Sequence, residues 1–220
     1  AIRHAVQKML PDFSNPRGAE VGIQIDWFQN GKTTQLRIEQ LSDGYRTTLA
    51  MVMDIAARMA EANPDMPDPL QTEGVVLIDE VDLHLHPGWQ QTILLDLMRT
   101  FPNIQFIVST HSPQVVSSVK PECLRVIDWL DEQPRLIPVP FSEGAEAQQV
   151  LLDVLGVKSP RVEQLEIVQK LKKYQQLVDG NDWDTEEALK LRQTLNQWGA
   201  GYEPELVSLD VDIRLKSLDR

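Results

Sequence analysis

The sequence predicts an α/β protein built on a parallel sheet, with an antiparallel hairpin before the first long helix and a helical C-terminal part. Two uninterrupted apolar runs, residues 75–78 and 104–108, are each followed by polar residues, which is typical of buried parallel strands. Each run is followed by a segment of helical character, so strand and helix alternate along the chain. Beyond residue 141, only amphipathic patterns with a helical period remain.

The N-terminal part predicts a β-hairpin. Apolar residues alternate with polar ones from position 21 to position 27, before the pair Asn30-Gly31. The alternation resumes at positions 36 and 38, which is typical of two strands joined by a tight turn. The tripeptide Gly31-Lys32-Thr33 imitates the end of a phosphate-binding loop. Such a loop needs glycine at position 26, where this chain has Asp26, and a helix directly after the lysine. We therefore expect these residues to form a turn and the chain to contain no phosphate-binding loop.

The stretch LSDGYR, residues 41–46, is predicted to open the first long helix. Ser42 suits the N-cap position, an apolar stripe at helical spacing follows, and Asn63-Pro64 ends the pattern. A serine hydroxyl, the amide of Gly44 and the positive end of a helix together suit an anion. The plain alternative is an N-cap followed by a flexible glycine.

The run VVLIDE, residues 75–80, carries the strongest chemical signal. A buried strand would deliver Asp79 and Glu80 to the carboxyl edge of the sheet, where open α/β sheets bind their ligands. This fits a Walker B element, in which Asp79 would hold Mg²⁺ through water and Glu80 would orient the water that attacks a γ-phosphate. The plain alternative is two acids placed where a strand meets solvent.

The second apolar run leads to a histidine. A helix is predicted from Pro87 to residue 101, and the strand IQFIV then ends in STHS, residues 109–112. From the neighbouring strand, His111 is placed to donate a hydrogen bond to the same phosphate; a histidine bonded within a turn is the plain alternative. A short helix is predicted from Pro113 to Val119.

The C-terminal third predicts a change of architecture. Residues 124–140 read as a hairpin that turns at Asp131 to Pro134, and helices are predicted over residues 145–155, 161–178 and 184–198. We therefore expect an α/β domain over residues 1–140 and a helical subdomain over residues 141–220.

Composition limits the classes of function. The net charge of −12 argues against a broad nucleic-acid surface, which needs clustered Lys and Arg. The single cysteine suits a reducing cytoplasm, and no apolar run approaches the roughly 18 residues of a membrane span. Because the chain opens at Ala1 in mid-pattern, we expect it to be a piece of a longer protein.

Four motifs in this order resemble the heads of ATP-binding-cassette ATPases of the SMC, RecF and OLD type. LSDGYR resembles the signature, VVLIDE the Walker B strand, VDLHLHP the D-loop and IVSTHS the switch histidine. The resemblance covers about residues 20 to 140. DEVDLHLHP, the following WQQ and FPNIQFIVSTHSP are most similar to the ATPases of Septu-type and retron-associated anti-phage systems.

The resemblance implies an ATPase that uses ATP and Mg²⁺ and functions as a homodimer or higher even-numbered oligomer. Asp79, Glu80 and His111 would serve the ATP bound by their own subunit. Ser42 and Gly44 would contact the γ-phosphate of ATP bound by the partner subunit. The phosphate-binding loop would come from an N-terminal lobe outside this chain.

The same resemblance implies a role in anti-phage defence, with a separate nuclease as partner. The net charge leaves nucleic-acid contacts open only for regions outside this chain. The D-loop departs from the usual pattern, which ends in Asp, because His86 stands at about that place. A second class of function stays open, a scaffold in which ATP binding matters and turnover does not.

Two other patterns offer alternatives. His84, His86 and the nearby acids are residue types that could bind a transition metal in a hydrolase. No third histidine follows them at a fixed spacing, as a metal motif would require. Glu143-Gly144 and the later Asp210 and Asp212 imitate the Toprim nuclease of OLD-type proteins. Toprim chemistry needs its DxD pair at the end of a buried strand, whereas the residues around Asp210 fit a helix.

Overall fold

The computed structural model describes residues 1–130 and 132–218 and confirms a mixed α/β architecture. The strands are β1 (Phe13–Gly18), β2 (Ile23–Gln29), β3 (Lys32–Arg37), β4 (Gly74–Ile78), β5 (Ile104–Val108), β6 (Val126–Leu130) and β7 (Gln133–Ile137). The helices are α1 (Ile2–Met9), α2 (Asp43–Ala62), α3 (Pro87–Gln90), α4 (Ile93–Thr100), α5 (Pro113–Val116), α6 (Ala147–Asp153), α7 (Glu166–Asp179), α8 (Glu186–Gly199) and α9 (Pro204–Leu218). None of the described helices is long and apolar enough to cross a membrane.

The predicted N-terminal hairpin is confirmed. β2 and β3 pair antiparallel, with Gln29 opposite Lys32, so Asn30 and Gly31 form a two-residue turn. Both turn residues have positive φ, 51° and 75°, which is the conformation that the favoured hairpin turn requires. β1 adds a third strand beside β2, and the sequence pattern did not predict it.

The predicted long helix is also confirmed. α2 begins after Ser42 and ends before Asn63, as the capping signals indicate. It buries one face, and the buried residues recur at helical spacing: Leu49, Val52, Ile55, Ala56 and Met59. These side chains join α1 and α4 in a common core, which fixes where the N-terminus of α2 lies.

β4 and β5 form the predicted parallel pair, with Gly74 opposite Ile104 and Ile78 opposite Val108. The prediction that these strands are buried on both faces is wrong. Alternate side chains point to opposite faces of a strand, and only one face packs on the core. On the other face Val75, Leu77 and Ile107 are 55%, 76% and 52% exposed, since no described residue covers them.

The helix predicted from Pro87 to residue 101 is two helices, α3 and α4, which are separated at Gln91 and Thr92. β6 and β7 form the predicted antiparallel hairpin, with Leu130 opposite Gln133. The turn was predicted to begin at Asp131, which lies outside the described residues. Pro134 belongs to β7 and is paired with Trp129.

The chain divides into two compact units after Val157. The reason is a small apolar cluster in which Val150 and Val154, in and just after α6, pack with Val116 and Ala145. This cluster holds residues 141–157 in the first unit.

The second unit begins at Lys158 and contains α7, α8 and α9, so the helices predicted for this region are confirmed. Its core is formed by Leu171, Tyr174, Val178, Leu195, Leu206 and Leu209. Asp210 and Asp212 lie on α9, and Asp210 forms an ion pair with Arg192 on α8. The strand end that a Toprim site requires is therefore not present at these residues.

Candidate functional site

Asp79 and Glu80 lie where the sequence predicts, directly after β4 at its carboxyl end. Both side chains are exposed. Glu80 has a φ of 50°, a left-handed conformation that a residue with a Cβ rarely adopts. Backbone strain of this kind, about 1–3 kcal/mol, persists only where surrounding contacts impose it.

Ser109 supplies those contacts. Its hydroxyl donates to Asp79 Oδ1 at 2.5 Å and accepts from the Glu80 amide at 2.8 Å. The strand pairing also continues past β4 and β5, because Ser109 N donates to Ile78 O and Val81 N donates to Ser109 O, each at 3.0 Å. The end of β5 therefore holds both acids in place.

Sequence reasoning missed this role of Ser109, although a signal existed. Ile78 and Val108 are opposite each other in the parallel register, so the next residues, Asp79 and Ser109, are neighbours. A serine directly opposite the first acid of such a pair indicates a hydrogen-bonding partner.

His111 lies two residues beyond Ser109 and is exposed. Within residues 1–130 and 132–218 its imidazole has no hydrogen-bonding partner, so it is not the turn-bonded histidine of the plain alternative. Its neighbours on both sides are fixed: Thr110 donates to Asp82 Oδ1 at 2.5 Å, and Ser112 caps α5 by accepting from Gln114 N. Because its backbone is held in place and its imidazole has no partner among the described residues, His111 is suited to donate a hydrogen bond to a ligand.

Gln90 joins the two loops, a role that the WQQ stretch does not predict by itself. Its amide nitrogen donates to the carbonyl oxygens of Asp82, at 3.3 Å, and Leu85, at 3.0 Å. Its amide oxygen accepts from the Ser112 hydroxyl at 2.8 Å. One side chain in the first turn after Pro87 therefore connects the loop after β4 with the turn after β5.

Ser42 occupies the predicted N-cap position of α2, but its hydroxyl makes no capping hydrogen bond. The side chain is exposed, so the hydroxyl and the amides of the first helical turn remain available to an anion.

Gly44 is buried against the loop that follows β4. A Cβ at this position would lie 2.7 Å from the carbonyl oxygen of His84, so only glycine permits this close approach. Tyr45 extends the contact, since its ring packs edge-on against Trp89 with 4.1 Å between centroids. Burial, and to a lesser extent the charge of Asp12, raises the pKa of Tyr45. The start of α2 and the loop after Glu80 thus form one packed unit in the same chain.

His84 and His86 do not form a metal site with the other described residues. His86 Nδ1 accepts from the Gly88 amide at 3.2 Å and caps α3, and His84 has a φ of 64°. In the described parts of the chain, no group of three or more His, Cys, Asp or Glu side chains is arranged to hold a metal ion. This finding argues against the transition-metal hydrolase.

A magnesium ion held through water has different needs. It requires few protein ligands, because water and phosphate oxygens fill most of its octahedral shell. Asp79 fits this requirement, since it is exposed and Ser109 engages only one of its two oxygens.

The tripeptide Gly31-Lys32-Thr33 lies in the hairpin, with Gly31 in the turn and Lys32 opening β3. No helix follows the lysine, as a phosphate-binding loop would require. The predicted turn is confirmed for Gly31, whereas the expectation that Lys32 and Thr33 belong to it is wrong, because both residues pair with β2.

Comparison with known proteins identifies a matching family model and several relatives. A family model described as "AAA domain, putative AbiEii toxin, Type IV TA system" matches residues 2–117. The chain is 43% identical over 173 residues to the Retron Vc95 probable ATPase of Vibrio cholerae serotype O1 biovar El Tor, covering 78% of this chain and 33% of that protein. It is 35% identical over 212 residues to the Retron Ec83 probable ATPase of Escherichia coli, and the match covers 96% of this chain and 38% of that protein.

A shorter match joins the chain to a second kind of relative. It is 46% identical over 77 residues to the Septu protein PtuA of Bacillus mycoides (strain KBAB4), covering 35% of this chain and 10% of that protein. The chain spans about a third of the length of the two retron relatives.

Proposed function

Because this chain belongs to the AAA-domain family whose model matches residues 2–117, we propose that it is the part of an ATPase head that carries the catalytic acids, the switch histidine and the signature. The reaction is hydrolysis of ATP by water to ADP and phosphate, with Mg²⁺. The observation that carries this proposal is the contact of Ser109 with both Asp79 and Glu80. It sets two carboxylates at the carboxyl edge of a parallel sheet, where nucleotide sites occur.

Each residue has a distinct role. Asp79 holds Mg²⁺ through water, and the bound ion neutralises charge on the phosphate oxygens. Glu80 accepts a hydrogen bond from the attacking water and orients it toward the γ-phosphate. His111 donates to a γ-phosphate oxygen, for which its exposed and unengaged imidazole is suited.

The site is completed by two elements that the described residues do not supply. One is a glycine-rich phosphate-binding loop from outside these 220 residues, because Gly31 lies in a hairpin turn and Lys32 and Thr33 continue as a strand. The exposed apolar face of Val75, Leu77 and Ile107 supports further structure packing on β4 and β5. We propose that the head lies within residues 1–140 and that the helical subdomain of residues 141–220 attaches to it through the segment up to Val157, which packs in the first unit.

The second element is a signature from another copy. The free Ser42 hydroxyl and the Gly44 amide would contact the γ-phosphate of ATP held by the partner copy, which makes ATP the link between two heads. A homodimer or a higher even-numbered oligomer follows. Support comes from the start of α2, where the Ser42 hydroxyl is exposed and makes no capping bond.

The wider role is anti-phage defence in the cytoplasm, with a separate nuclease as the regulated partner. Similarity to proteins named Retron Vc95 probable ATPase and Septu protein PtuA supports this proposal. Nucleic acid would be bound through regions outside this chain, since the net charge here is −12.

The test is Glu80→Gln in the full-length protein, with Glu73→Gln as the matched control, because Glu73 is an exposed acid before the start of the same strand. Loss of the group that orients the water should lower kcat by about 100-fold or more. ATP binding should stay near the wild-type value, and a dimer with trapped ATP should accumulate. The control should hydrolyse ATP normally.

Equal hydrolysis by wild type and Glu80→Gln would contradict the catalytic assignment. ATP-dependent dimerisation without turnover in either protein would favour the nucleotide-gated scaffold and would also contradict it.

A further inference from the structure

Helix α9 has two apolar faces, and only one is used inside its own unit. Leu206 and Leu209 are buried against α7 and α8, and Ile213 packs on the same cluster. On the opposite side a second stripe is exposed: Val207, Val211, Leu215 and Leu218, at 47%, 49%, 58% and 82%.

The spacing of the exposed stripe is that of a helix–helix interface. Its members are separated by four, four and three positions, so they lie in one line along a helix of about 22 Å. A surface helix normally places polar residues opposite its buried face. Four large aliphatic residues in line at those positions indicate a face that is covered by another helix.

Charges beside the stripe select the kind of helix. Asp210 and Arg214 are four residues apart and flank the same side of it. Asp210 is 43% exposed even though it pairs with Arg192 at 2.7 Å. Across the described residues, Arg214 has no ion-pair partner.

We infer that α9 pairs with α9 of a second copy of this chain, in antiparallel orientation. In the register that overlaps the whole stripe, Val207 lies beside Leu218 of the other copy and Val211 beside Leu215 of the other copy. The same register brings each Arg214 within about 3 Å, along the helix axis, of Asp210 of the other copy. An antiparallel pair brings the charged flanks of both copies to the same edge of the interface and repeats both contacts by two-fold symmetry. A parallel pair would place the two flanks at opposite edges, where Asp210 and Arg214 of different copies could not pair.

This interface does not rest on ATP or on the proposed catalysis. One pair of helices buries less surface than a standard protein interface, so the association is weak and reversible by itself. It would tether two copies before nucleotide binds and thereby raise the local concentration of the second head.

The first test measures self-association of the full-length protein without nucleotide, by sedimentation velocity across micromolar concentrations. The double variant Val211→Glu/Leu215→Glu should weaken the dimer by about 100-fold or more, because it places charge where two apolar side chains per copy are buried. Leu189→Glu is the control, since Leu189 is 59% exposed on α8. It should leave the dimer unchanged.

A second test fixes the orientation by disulfide formation in a Cys123→Ser background, which removes the exposed native thiol. Val207→Cys alone and Leu218→Cys alone should not cross-link, because the two copies of each position are about 16 Å apart along the axis. A mixture of the two variants should form the disulfide.

Three results would overturn the inference. They are a monomer at every concentration, a dimer that Val211→Glu/Leu215→Glu leaves intact, and cross-linking of Val207→Cys to itself. A monomer would also show that a different protein or another segment covers this face.

Discussion

Replacing Gly44 by alanine tests how α2 is held against the loop that follows β4. The added Cβ would lie 2.7 Å from the His84 carbonyl oxygen and 3.6 Å from its carbon. Carbon–oxygen contacts are comfortable from about 3.4 Å, so the helix or the loop must move by about 0.7 Å. The clashing atom belongs to the backbone and has no rotamer with which to escape.

The magnitude follows from two opposing effects. Overpacking of this kind costs about 1–3 kcal/mol, and the better helix propensity of alanine offsets less than about 1 kcal/mol. We expect Gly44→Ala to destabilise the first unit by about 1–2 kcal/mol, which lowers its Tm by about 2–8 °C.

The assay is thermal unfolding followed by circular dichroism and by the fluorescence of Trp89, whose ring packs on Tyr45. Gly88→Ala is the matched control, because a Cβ there meets His86 Nδ1 at 3.5 Å, an ordinary contact. If Gly44→Ala is as stable as wild type, or if the control loses as much stability, the close approach of α2 to the loop is not what the structure indicates.

Two further predictions concern hydrogen bonds outside this contact. Thr110→Val removes the donor to Asp82 Oδ1 and the acceptor for the Ser112 amide, and it should reduce the free energy of unfolding by about 1–2 kcal/mol in urea titrations. Thr194→Val removes only a bond to Lys190 O within α8 and should change this free energy little. Equal effects would refute a specific role for the Thr110 contacts. Hydrogen bonds from Arg161 lower the pKa of Glu203 below its usual 4.5. The pair therefore stabilises the second unit fully above pH 4.5. This stabilisation is lost as the pH falls through the lowered pKa of Glu203. Glu203→Gln should therefore lower the Tm of the second unit at neutral pH and flatten its loss of stability in acid, and an unchanged acid transition would contradict the assignment.

The turn and helix boundaries could be predicted from the sequence because local chemistry sets them. Asn30-Gly31 favours positive φ at two successive residues, and Ser42 and Asn63 mark both ends of α2. The position of the two carboxylates could also be predicted from the sequence. An apolar strand that is followed by Asp79 and Glu80 places them at the edge of the sheet, and this does not depend on the rest of the fold.

Burial of β4 could not be predicted in the same way. An apolar run shows that both faces of a strand avoid water, but it does not show whether the cover comes from the same 220 residues. Val75 and Leu77 are exposed because none of the residues that the structure describes packs on them. The strand β1 was missed because FSNPRG does not alternate, and its pairing with β2 shifts register between Ser14 and Arg17.

The side chains that organise the site depend on tertiary contacts. Gln90 lies in the WQQ stretch, which indicates no role for its side chain, yet it binds carbonyl groups of the loop after β4 and the hydroxyl of Ser112. Such a role follows from where α3 packs, which single-sequence patterns do not encode. Ser109 was within reach of prediction once the register of the parallel pair was assumed.

The central claim is that each ATP site combines the acids of one copy with the signature of another, and mixing two inactive variants tests it most directly. Ser42→Arg should block the signature, and Glu80→Gln should block catalysis, so each full-length variant alone should be inactive. A mixture with free subunit exchange forms hybrid dimers that contain one intact site, and we expect it to recover roughly a quarter of the wild-type ATPase rate. A mixture that stays as inactive as its components, or a Ser42→Arg variant that is active alone, would contradict the account.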